Sequence, residues 1–129
     1  MKQVTESFSD EEFDRLVVEA LQTLPPFFQE KLSNIEVMVA DWPTLAELRA
    51  VGMQDRNQLL GLYQGVPLTR RGSGYNLVLP DKITIFRRPI GRVCRTRQAI
   101  IKQVRRTVLH ELAHHFGISD DRLRQLGAY

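Results

Sequence analysis

The sequence holds a single cysteine, Cys94, so no disulfide can form within the chain and a disulfide-stapled framework is excluded. A reducing compartment suits such a chain. No apolar run approaches the ~20 residues that span a bilayer, and Met1 to Asp14 is polar and acidic, without the apolar stretch of a secretion signal. A cytoplasmic protein with no membrane contact is expected. No internal repeat or low-complexity tract is visible. What remains is 129 residues, 43% of them hydrophobic, enough for one domain spanning 1–129 around one core. A monomer is expected.

Acidic residues are absent from one stretch. Residues 87–106 contain Arg87, Arg88, Arg92, Arg95, Arg97, Lys102, Arg105 and Arg106 and no Asp or Glu, although the net charge of the whole chain is only +3. Such a block can bind nucleic acid or an acidic partner. It can equally be a solvated helix face, and aromatic residues, which would stack on bases, are missing from it except Phe86 at its edge.

Ser9-Asp10-Glu11-Glu12 reads as a capping box, and Phe13, Leu16, Val17, Ala20, Leu21 and Leu24 recur behind it at helical spacing until Pro25-Pro26. A short helix is expected over Pro26 to Leu32. Strands are expected over Ile35 to Ala40, Leu59 to Tyr63 and Lys82 to Phe86, with a helical turn over Thr44 to Arg49. Gly65 to Gly74 reads as a loop, Leu77 to Leu79 is ambiguous, and Pro89-Ile90-Gly91 is expected to break the pattern. The longest helix should run from about Thr96 to Phe116, and Ser119 can cap a last short one carrying Leu123 and Leu126. The order implies an α+β fold with N-terminal helices, a small sheet, one long helix and a short C-terminal helix.

The long helix carries His110-Glu111-Leu112-Ala113-His114, an H-E-x-x-H pattern continued by Gly117 and Asp120. At ~100° per residue with Ile100 at zero, Ile101, Val104, Val108 and Leu112 fall between ~40° and ~120°, a stripe for the core. His110 and His114 fall near ~280° and ~320°, one turn apart and outside that stripe, and Glu111 falls near ~20° beside them. His115 falls near ~60°, on the stripe, and is expected to pack or to support a ligand from behind. Two such histidines can ligate one zinc ion, and the glutamate can serve as general base to a water in the fourth position. Ten residues of continuous helix would carry Asp120 ~15 Å from His110, so the helix has to end first; Gly117 stands where a left-handed residue can end it. Asp120 is the expected third ligand and Asp121 its rival. Iron, cobalt or manganese could occupy the same donors. Tyr63, Tyr75 and Tyr129 are candidate donors to an oxyanion.

On these residues the chain resembles the zincin-like metallopeptidases, and specifically a minimal bacterial family of about this length. The resemblance covers Gly61 to Thr69, Ile83 to Phe86, Pro89-Ile90 and, most specifically, Thr107 to Gly117. It implies a zincin-like fold, a small sheet packed on the motif helix, and an extended peptide or protein substrate paired with an edge strand, for which Lys82 to Phe86 is the candidate, a plain core strand being the equal alternative. The pattern ending in Asp120 also resembles metzincins, but no methionine follows Met53, so their methionine turn is missing. Only nine residues follow Asp120, and a full-size specificity pocket is not expected.

Two functions follow. One is a small zinc peptidase with Glu111 as base. The other is a binding or regulatory module on the same scaffold, with weak or no peptidase activity, that contacts an acidic partner or nucleic acid through 87–106.

Overall fold

Ser9 starts the first helix, α1 (Asp10–Gln22), as its spacing to Glu12 predicts. The Ser9 hydroxyl accepts from the Glu12 N–H at 3.1 Å, and the Glu12 carboxylate accepts from the Ser9 N–H at 3.2 Å. These bonds hold the Glu12 carboxyl below its ordinary value. Pro25-Pro26 ends α1, and Pro26 opens α2 (Pro26–Leu32), where its fixed φ suits a first helical position. There follow β1 (Ile35–Ala40), α3 (Leu45–Ala50), a 3₁₀ turn over Arg56–Gln58, β2 (Gly61–Gln64), β3 (Asp81–Phe86), α4 (Arg87–Val93), α5 (Arg97–Phe116) and α6 (Asp120–Gln125). This computed structural model describes residues 8–65 and 81–127. Leu77 to Leu79, Tyr75, Tyr129 and all but the first residue of the loop expected over Gly65 to Gly74 lie outside them.

The sheet has the order β1-β3-β2 among the described residues, with β1 parallel and β2 antiparallel to β3. Of the two readings of Lys82 to Phe86, the edge strand is overturned and the core strand holds: β3 is the central strand, hydrogen-bonded on both sides. Ile83 and Ile85 alternate with Thr84 along β3, which puts them on opposite faces. Thr84 and Phe86 are buried too. Ile83 and Ile85 join the main core, while Phe86 meets Leu48, Leu59 and Leu62 in a smaller cluster. A strand covered on both faces and both edges cannot offer its backbone to a partner. Among the described residues β1 and β2 are the edge strands, and β2 is the one beside the motif helix.

A second expectation also fails. Pro89-Ile90-Gly91 does not break the chain; it lies inside α4, with Pro89 and Ile90 buried. Pro89 is the third residue of that helix, where the N–H it lacks would have no intrahelical acceptor. Ile90 is the apolar residue that draws the turn into the core.

Helix α5 packs against α1, α4, β2 and β3. Val104, Val108 and Leu112 are buried as expected and Ile101 only partly, while Ile100, Thr107, Leu109 and Ala113 are buried as well. The covered arc is wider than the stripe in the sequence because α5 has neighbours on more than one side. Strand β2 approaches it most closely at Gly61: a Cβ placed there would lie 2.5 Å from Thr107 Cγ2. Only a residue without a side chain fits. Gly61→Ala is expected to cost about 1–3 kcal/mol by overpacking. In that background Thr107→Ser, which deletes Cγ2 and keeps the hydroxyl, should recover most of the loss in urea unfolding. Strictly additive effects of the two changes would refute a steric origin.

Candidate metal and catalytic site

The contact at Gly61 brings the outer edge of β2 against the motif turn of α5. His110, Glu111 and His114 line one hollow of about 560 Å³ with Gly61, Leu62 and Tyr63. The two histidines are exposed, one turn apart, with ring centroids 6.4 Å apart. Glu111 is half-buried beside them. The outward-pointing N–H of Tyr63 donates to Glu111 Oε1 at 2.9 Å, so one carboxylate oxygen is tied to the strand. The helical wheel predicted the shared face. It could not predict the strand N–H, though a glycine within a strand is a signal of close backbone approach.

His115 departs from expectation. Its side chain is 39% exposed rather than packed in the core. The apolar core ends before the last turn of α5, and what covers His115 is the ring of Tyr63, stacked at 3.9 Å between centroids and 20° between planes. The Tyr63 hydroxyl donates to Asp81 Oδ2 at 2.6 Å, and His115 Nε2 lies 3.9 Å from the same oxygen, beyond hydrogen-bond length. Tyr63, a candidate oxyanion donor in the sequence, is thus engaged with Asp81 and joins β2 to β3 and to the end of α5. Asp81 itself fell just outside the strand read from sequence. The far side of that turn is held as well. Lys31 Nζ lies 5.3 Å from the Phe27 ring and 5.1 Å from the Phe116 ring, linking α2 to the end of α5.

Gly117 ends α5 in the left-handed region at φ 67°, and the Ile118 N–H turns back to the Ala113 carbonyl at 2.8 Å. Ser119 then caps α6, accepting from the Arg122 N–H at 3.1 Å. The reversal puts Asp120 on the rim of a second hollow, about 440 Å³, that His110 and Glu111 also line. Asp121 points elsewhere, with its side chain 88% exposed and paired to Arg124 at 3.1 Å. No three His, Cys, Asp or Glu side chains are gathered closely enough to hold an ion among the described residues. His110 and His114 meet in one hollow, and Asp120 shares only the neighbouring one. The donor chemistry nevertheless suits zinc: two exposed imidazoles a turn apart and a carboxylate brought back by a left-handed glycine.

Four of the eight cations of the basic segment are engaged within the fold among the described residues. Arg87 reaches Asp14 at 2.9 Å and Asp41 at 3.1 Å, and its hydrogen bond to Asp14 raises its pKa further. Arg88 pairs with Asp10 and Asp41, Arg97 with Glu12, and Arg105 donates to the Thr23 carbonyl. Cys94 is buried, which pushes its thiol pKa up and away from reactivity.

Because nothing within 4 Å crowds Gly117, replacing it tests the backbone alone. Gly117→Ala should lower stability by about 1 kcal/mol, the cost of a Cβ in the left-handed region, and Gly117→Asn by less. Equal losses for both in urea unfolding would count against that cause.

No described helix is long and apolar enough to cross a membrane. No curated protein matches the chain. A family model described as zincin-like metallopeptidase matches residues 32–128, from the end of α2 through α6. That span contains the whole sheet, the motif helix and the returning carboxylate, and the chain belongs to the zincin-like metallopeptidase family.

Proposed function

We propose that the chain is a zinc-dependent peptidase working in the cleft between β2 and α5. The observation that carries this reading is the Glu111 carboxylate, fixed by the Tyr63 N–H and bordered by His110 and His114 in one open hollow. His110, His114 and Asp120 would hold the ion, and Asp120 is favoured over Asp121 because it borders the same cleft while Asp121 pairs with Arg124. Zinc bound there supplies Lewis acidity to a peptide carbonyl and makes a water easier to deprotonate.

The protein groups do the rest. Glu111 has one oxygen held by the strand and the other available to take a proton from the attacking water. As oxygen adds to the carbonyl carbon, that proton resides on Glu111. As the C–N bond breaks, Glu111 returns it to the departing nitrogen, giving a carboxylic acid and an amine. Tyr63 fixes the strand through Asp81 and the base through its backbone. A binding role for 87–106 has less support, because Arg87, Arg88, Arg97 and Arg105 are engaged with α1, Asp41 and Thr23.

Glu111→Gln should keep uptake of about one zinc per chain, read by metal analysis after dialysis, and lose about 10²–10⁴-fold in peptide hydrolysis. A wild-type chain that takes up no zinc and cuts no peptide with any divalent transition metal would sink the reading.

A further inference from the structure

The cleft has two unlike ends, and this deepens the peptidase reading and rests on it. His110, Glu111, Gly61, Met53 and Leu59 border both hollows, so Glu111 stands at their junction. Toward the C-terminal end of α5 the wall opposite His114 is apolar, made by Val51, Met53 and Leu62; Val51 and Met53 are 39% and 36% exposed. Toward the N-terminal end Met53, Leu59 and Leu60 keep the floor apolar, and Gln58, Gln103 and Arg106 border it. Arg106 is exposed and makes no ion pair among the described residues, in contrast to Arg87, Arg88 and Arg97. Asp120 lines the same hollow without pairing to it.

The spacing sets what such a cleft accepts. Arg106 lies five residues before Glu111, about 7.5 Å along the axis at ~1.5 Å per residue. An extended peptide advances about 3.3 Å per residue, so Arg106 comes opposite a side chain roughly two residues from the peptide group at Glu111. The apolar wall lies on the other side of that group. The geometry points to a cleft that selects peptides bearing an acidic side chain about two residues to one side of the cut bond and a bulky apolar side chain on the other. Arg106 and Val51 are its specificity determinants. A cation at the rim of a cleft attracts a carboxylate and repels an ammonium, so charge discriminates in both directions.

The test uses labelled peptides with Glu, Gln or Lys two residues from a central bond and Leu or Ser across it, in both chain directions. Binding is read by fluorescence anisotropy on the zinc-free chain, cleavage by mass spectrometry on the zinc-loaded one. The wild type should bind the Glu peptide about fivefold tighter than the Lys peptide, with the preference shrinking as salt rises. Arg106→Glu should reverse the order and Arg106→Gln abolish it. Val51→Asp should erase the advantage of Leu over Ser. The same charge preference in wild type and Arg106→Glu overturns the assignment. A chain that binds in this pattern but cuts nothing refutes the peptidase reading and supports the subsites; cutting that ignores Arg106→Glu does the reverse.

Discussion

One contact organises this molecule: the backbone of β2 at Gly61 lying against Thr107 of α5. With any side chain at that position the strand would stand away from the helix. The Tyr63 N–H would then lose the Glu111 carboxylate, and the Tyr63 ring would leave His115. The sheet adds the second half of the constraint. β3 is held by β1 and β2 together and buries both faces, so β2 has a rigid backing when it meets the helix. The site is therefore a by-product of core packing.

Much of this was legible in the sequence where local chemistry decides structure. Ser9 with Glu12, Pro25-Pro26, and Gly117 each act through the backbone within a few residues, and the elements they bound came out as read. The common face of His110, Glu111 and His114 follows from helix geometry alone. The failures share a different cause. Pro89 reads as a breaker because its effect depends on its place in the helix, and that place was set by Ile90 entering the core. Lys82 to Phe86 reads as edge or core alike because strand order is not encoded in the strand's own residues. His115 sits on the apolar stripe by angle, but the core does not extend that far along α5. The Tyr63 N–H could not be foreseen, since a backbone group carries no sequence signature.

Charge follows the same division. The run from Arg87 to Arg106 looks like one basic surface in the sequence. In the fold, α1 supplies Asp10, Glu12 and Asp14 to its first half, so those arginines tie the N-terminal helix to α4 and α5. Exposed pairs of this kind each add little stability, but Arg87 is mostly buried and bridges two carboxylates, which fixes orientation. The segment thereby separates into a structural portion and a portion that faces the cleft.

The clamps on the last turn of α5 have a dynamic consequence. Helix ends ordinarily fray, since their final carbonyls lack partners and their side chains face water. The turn that carries His114 is exposed in just this way, yet Tyr63 stacks on one side of it and Lys31 bridges Phe27 to Phe116 on the other. Its order comes from rings at the surface. Surface contacts of this kind open more easily than a core does, so the order of the histidine pair is tied to rings that solvent can reach.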